Sequence, residues 1–276
     1  MSLQNRVAAH EITKLLLGHA QPRLLKIAQG LRKNQERIRE FQRENRRMST
    51  PVERYCLDGL SALHSVMHGL ARIENARAFL KASPSGLKSK AARVNRDEWT
   101  EYHFAFWTVA LASILDQALI ATAQLLELGF PPRLCTLDNV SSHSTVGRPT
   151  VSALRSLNRV LEGHKQRRHR ILHRGEAANF GELTDPEFLA DLRTITFVAT
   201  ADPSFGEEEA INRLWAHALK ELMPELESAM DQMTTAVDGV LDSLLPSVRT
   251  KLLVYESLAQ LQSATASVES VLPMTS

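Results

Sequence analysis

The chain has 276 residues, 43% of them hydrophobic, with 33 Lys and Arg against 31 Asp and Glu and a formal net charge of +2. That length can bury a substantial core as one large or two small domains, and the near-balanced charge excludes a histone-like polycation, so any nucleic-acid affinity has to come from local clusters. Two cysteines, Cys56 and Cys135, lack metal-ligand spacing and are too few for a disulfide framework, which points to a reducing compartment with the cytoplasm as default.

The first eleven residues contain no continuous apolar core of signal-peptide length, so secretion is not expected. From Glu11 to Arg47 the series Ile12, Leu15, Leu16, Leu24, Leu25, Ile27, Leu31, Ile38 and Phe41 has helical spacing, with Pro22 expected to break or kink it. Between Arg23 and Arg47 nine basic residues meet three Glu, 9 − 3 = +6. A solvated helix laced with i, i+4 pairs and a contact surface for RNA backbone are both open readings of that run. Thr50-Pro51-Val52-Glu53 is a capping box with Pro at the first helical position, so a second helix starts there. His64 and His68 lie four apart on it, and without a nearby Cys or acidic partner they read as polar flanks of the apolar stripe.

Ser83 to Arg96 is a basic loop and the best domain boundary, and Asn95-x-x-Glu98 has the chemistry of the next helix start. Glu98 to Leu128 is apolar nearly all round. Asp116 and Gln117 stand in its middle, and an Asp at a membrane centre costs about 2.5 to 3.5 kcal/mol, so the segment reads as a buried core helix and no membrane is implied. Asp116 itself has two readings: a structural partner for a buried Arg or a cap amide, or a group that orients a catalytic Arg or His on the neighbouring helix. Gly129-Phe130-Pro131-Pro132 stops the helix, Arg133 to Arg148 is a polar loop, and Pro149 opens the next helix.

In that helix Val151, Leu154, Leu157, Val160 and Leu161 form the apolar face, and Gly175 has the position of a C′ cap, placing His173 in the last turn. Its second half carries Lys165, Arg167, Arg168, Arg170 and Arg174 with His164, His169 and His173, fixed cations beside the side chain that titrates near neutral pH. Further on, Asp185-Pro186 starts another helix and Thr194 to Thr200 reads as helix for want of a partner strand. Asp202 to Gly206 is a turn, and Glu207 to Leu245 is a long amphipathic helix kinked at Pro224 and ended by Pro246. A short helix from Val248 to about Leu261 and a frayed Ser/Ala/Thr-rich tail follow. The fold class is all-α: an antiparallel helical bundle with additional N-terminal helices, the Asp97 and Pro149 helices at its centre. The expected division is an N-terminal helical region with the basic helix at 1–83, a bundle at 96–263 and the tail at 264–276. There is no Gly-rich phosphate loop, no Cys-x2-Cys, no His-Glu-x-x-His, no Ser-centred nucleophile elbow and no internal repeat.

Arg168-His169-Arg170-Ile171-Leu172-His173 follows the order Arg, polar residue, three of any kind, His. This resembles the signature of the HEPN superfamily of helical proteins, many of them metal-independent endoribonucleases acting as toxins or in antiphage defence. The same spacing recurs at Arg159 to His164, but Val160 stands at the polar position and the segment ends well before the helix does, so it reads as a chance copy. The resemblance covers about Asp97 to Leu245. It implies that His173 acts as general base or acid on a ribose 2′-hydroxyl while Arg168 stabilises charge on the phosphoryl oxygens, with His169 and Asp116 in support and Arg167, Arg170 and Arg174 binding RNA. No cofactor is implied. No metal is expected either, because three Arg beside His169 and His173 repel a dication and no acidic ligand lies nearby in sequence.

Residues five apart on a helix lie about 140° round its axis, so Arg168 and His173 share a face only if the last turn distorts. The resemblance implies a homodimer in which two motifs meet in one composite site, and it leaves room for an antitoxin or regulatory protein as partner. One departure is Gly175, which stands where HEPN toxins controlled by nucleotidyl transfer carry Tyr. The alternative is a non-catalytic helical module or scaffold that binds RNA or protein.

Overall fold

The computed structural model describes residues 2–33, 49–82, 96–174, 191–196, 198 and 208–269. Among them every regular element is helical and no strand occurs, as the apolar periodicity implies. In chain order these are α1 (Leu3–Ala9), α2 (Glu11–Lys33), α3 (Pro51–Lys81), α4 (Arg96–Leu125), a 3-10 turn (Pro132–Leu134), α5 (Leu137–Ser142), α6 (Arg148–Arg174) and α7 (Glu208–Glu269). Residues 191–196 are helical as well. The caps expected at Asn95 and Gly175, the start at Asp185-Pro186, the turn at Asp202 to Gly206 and most of the Arg23–Arg47 cluster lie outside the described residues. Of that cluster, Arg23 is buried and Lys26 exposed.

The chain forms two compact units, one from Met1–Gln4, His68–Leu115 and Arg155–Val237, the other from Asn5–Met67, Asp116–Leu154 and Asp238–Ser276. Each draws on both sides of the 83–96 segment. In the first, Leu70, Ile73 and Leu80 of α3, Phe104, Trp107 and Leu111 of α4, Leu157 and Leu161 of α6, and Trp215, Leu222 and Leu226 of α7 are buried. The Trp215 indole N–H donates to Thr196 Oγ1 at 3.0 Å, and Glu227 holds Arg77 and Lys81 at 2.8 and 2.9 Å.

In the second unit Ile12 and Leu16 of α2, Leu63 of α3, Leu119 and Leu125 of α4, Leu154 of α6 and Leu244 and Val248 of α7 are buried. Gly59 lets helices close: a Cβ there would stand 3.0 Å from Leu125 Cδ2 and 3.0 Å from Leu16 Cδ1. The expected capping box starts α3, with Thr50 N–H donating to Glu53 Oε2 at 2.9 Å and Glu53 N–H to Thr50 Oγ1 at 3.2 Å.

Several boundaries differ from the sequence reading. Pro246 does not end a helix: α7 runs unbroken from Glu208 to Glu269 through Pro224 and Pro246. A proline forfeits one backbone bond, and each of these is flanked by residues buried on both sides, Leu222 and Leu226, Leu244 and Val248, which hold the helix on either side. For the same reason Pro22 lies inside α2 rather than breaking it, between buried Ala20 and Arg23. Residues 264–269, read as frayed tail, belong to α7. Two short helices were not foreseen. The first, α1, precedes α2, whose Ile12 N–H donates to His10 Nδ1 at 3.2 Å. The other, α5, lies within the expected Arg133–Arg148 loop, where Thr136 accepts from Asn139 N–H at 3.2 Å as N-cap.

Helix α4 ends in a Schellman geometry. Leu128 N–H reaches the Ala123 carbonyl at 2.9 Å and Glu127 N–H the Gln124 carbonyl at 3.1 Å, with Glu127 itself left-handed at φ 54°. Lys251 and Tyr255 bind the Glu127 carboxylate and hold this residue where glycine is usual. Glu98–Leu125 is long and apolar enough to cross a membrane, with a mean hydropathy of 1.7, but 61% of its most apolar window is buried against protein. That burial is what a core helix shows.

Candidate functional site

The motif lies on the second half of α6, which stays α-helical through Arg174. Leu154, Leu157 and Leu161 are fully buried; beyond Leu161 no residue of the helix is. Its C-terminal half is held on the core side by two aromatic contacts to α4. The His164 ring meets the Trp107 ring edge-on with centroids 5.5 Å apart, and the Arg167 guanidinium stands 5.7 Å from the centre of the Phe104 ring. His164 Nδ1 is buried without a hydrogen-bond partner among the described residues. Burial, reinforced by the charge of Arg167, pushes the His164 pKa down to about 4, so this imidazole is neutral at pH 7.

The outward side is different. His169 and His173 are both exposed, and their rings lie with centroids 4.8 Å apart at an interplanar angle of 44°. Arg174 is exposed, while Arg168 and Arg170 are half-buried. Lys165 donates to Asn158 Oδ1 at 2.9 Å and stands 3.5 Å from Glu162 Oε2. A hollow of about 720 Å³ runs along this half of the helix, its lining residues 163–170 and Arg174.

The two motif residues are not brought together within one chain. With the last turns regular, Arg168 and His173 lie about 140° apart round the helix. The pair that does meet is His169 with His173.

The burial expected of Asp116 is corrected. The residue is exposed, not a carboxylate sunk in an apolar helix, and it belongs to the other compact unit from the motif. The physical reason is that α4 keeps one narrow wet line along Glu98, Tyr102, Phe106, Asp116 and Gln124, at helical spacing. Because Tyr102 and Phe106 stand on that line, the sequence pattern hid it. Conversely, His164 of the chance copy is half-buried, with its ring packed edge-on to Trp107. Its spacing of three and seven from Leu161 and Leu157 was the available signal.

Among the described residues no group of three or more His, Cys, Asp or Glu is placed to hold a metal ion. Comparison of the chain with protein-family models, with curated proteins and with solved structures gives no match. The resemblance to HEPN proteins therefore rests on Arg168 to His173 and its helical setting.

Proposed function

We propose that the second half of α6 is the reactive face of a metal-independent endoribonuclease of HEPN type, acting in the cytoplasm in a toxin-like or defence role. The observation that carries this reading is the exposed His169–His173 pair, with ring centroids 4.8 Å apart on a helix that also carries Arg168, Arg170 and Arg174. Metal-free RNA cleavage moves two protons. One leaves the ribose 2′-hydroxyl as its oxygen attacks phosphorus, and one arrives on the 5′-oxygen as the P–O bond breaks. A neutral imidazole takes the first and a protonated one gives the second, so His173 as base with His169 in support covers both transfers. The products are a 2′,3′-cyclic phosphate and a 5′-hydroxyl. Arg is the suitable cation for the phosphoryl oxygens because its fork binds two at once.

Since Arg168 and His173 of one helix diverge, the Arg168 acting on the same phosphate belongs to a second copy. That is the composite site of a homodimer which the resemblance implies. Under this reading Arg167 acts through its packing on Phe104 more than through RNA, leaving Arg170 and Arg174 as the backbone contacts. An antitoxin or regulatory protein would cover the same face.

The divergence of Arg168 from His173 also favours a second reading, a non-catalytic module that binds RNA or protein through a cationic helix end. One experiment separates the two. Purified protein is incubated with RNA in the presence of a chelator, alongside the His173→Ala variant. Cleavage that leaves cyclic phosphate and falls by about 10² to 10⁴ in the variant supports the nuclease. Binding without cleavage, or equal cleavage by a folded variant, leaves the module.

A further inference from the structure

The geometry points to a transition-metal chelate formed by His169 and His173: a late first-row dication, Zn²⁺ or Cu²⁺, bound by one nitrogen of each ring, with water in its remaining positions. The two residues are four apart on a regular helix, both are exposed, and their ring centroids are 4.8 Å apart. An imidazole nitrogen binds such an ion at about 2.0 to 2.1 Å, which puts the ring centre roughly 3.2 Å from the metal. Two rings meeting at one ion with an angle between about 90° and 110° then have centres roughly 4.5 to 5.2 Å apart. The observed spacing falls inside that window, so the two rings are close enough to share one ion. Imidazole suits zinc and copper among the divalent ions and discriminates against magnesium and calcium, which prefer oxygen.

The neighbouring arginines do not forbid it. A unit charge about 8 Å from a dication in water-like surroundings weakens binding by about fivefold, and physiological salt reduces that to about twofold per charge. The chelate is therefore weakened by Arg168, Arg170 and Arg174, not abolished.

Binding stands independently of the nuclease reading; its consequence rests on that reading. A metal-bound His173 has no lone pair left for a 2′-hydroxyl proton, so the ion would switch off a reaction that itself needs none.

The test uses the full chain without an affinity tag, in a His64→Gln/His68→Gln background that removes the other exposed i, i+4 pair. Zn²⁺ is titrated by calorimetry while the imidazole signals are followed by NMR. One ion per chain is expected, with the His169 and His173 rings shifting together and either His169→Gln or His173→Gln weakening binding by at least about tenfold, equivalent to about 1.4 kcal/mol. Unchanged affinity in either variant, or shifts confined to other histidines, overturns the site. Half an ion per chain overturns the single-helix chelate in favour of one shared between copies. If metal-free protein leaves RNA intact, the nuclease reading fails while the chelate is judged by calorimetry alone. Cleavage unaffected by saturating Zn²⁺ overturns the proposed switch.

Discussion

Acidification should loosen the first unit through His164. The unfolded chain has an ordinary imidazole pKa of 6.5 and the folded one holds it near 4, because burial against Trp107 and the charge of Arg167 both disfavour the imidazolium. For a histidine whose folded pKa is depressed, stability is fully present above pH 6.5 and is lost as pH falls through the interval to 4. The difference, 6.5 − 4 = 2.5 pKa units, corresponds to about 3 kcal/mol at the low end of the window. Carboxylates titrate over part of the same range, so the measurement is a comparison. Wild type and His164→Gln are unfolded in denaturant at pH 7 and pH 4, and the wild type should lose about 3 kcal/mol more between the two. Trp107 gives a second readout, since an imidazolium edge-on to the indole quenches its fluorescence with a midpoint near 4. Equal pH dependence in the two proteins, or an NMR midpoint for His164 near 6.5, would refute the packing argument.

Gly59→Val places branched carbons where Leu16 and Leu125 already stand at 3.0 Å from a bare Cβ, and should destabilise by about 1 to 3 kcal/mol or more in thermal unfolding; a neutral result would mean the helices separate freely there. The Tyr255 phenol is pushed up to about 12, first by its hydrogen bond to Glu127 and then by burial and the Glu127 charge, so Glu127→Gln should bring its ultraviolet titration midpoint down towards 10. Arg159 is exposed, and Arg159→Ala should change stability by no more than about 0.5 kcal/mol and leave any RNA cleavage at the parental rate. His164 cannot serve as a companion control, because its replacement perturbs the core.

Much of the fold was legible because the sequence writes it in local rules. The capping box at Thr50 and Glu53 and the apolar face Leu154, Leu157 and Leu161 are each decided by neighbours within a few residues, and the structure follows them. The errors came where distant packing overrode a local rule. Pro246 looked like a stop because proline lacks one donor, yet Leu244 and Val248 are both buried and the helix continues. Asp116 looked buried because the helix around it is apolar, and only tertiary packing decides which line of such a helix is left wet. The left-handed turn at Glu127 was illegible for a similar reason: its stabilising partners, Lys251 and Tyr255, lie more than a hundred residues away.

The two copies of Arg-x4-His show how the same spacing acquires opposite meanings. Successive residues turn about 100° round a helix, so relative to Leu157 the core line is continued by Leu161 at about 40°, His164 at about −20° and Arg168 at about 20°. His169 and His173 fall at about 120° and 160°, together and facing away. In the first copy the histidine therefore lies on the core side, meets Trp107 and stays neutral, while Arg159 is left in solvent. In the second it is the arginine that follows the core line and the histidine that is exposed. The motif as a string does not contain this distinction; its register against Leu157 and Leu161 does. It follows that Arg168 and His173 should respond differently to substitution. His173→Ala should leave unfolding unchanged and affect only RNA chemistry or metal binding, whereas Arg168→Ala should lower stability by about 0.5 to 2 kcal/mol as well. Equal and negligible stability effects for both would show that the register argument has misplaced Arg168.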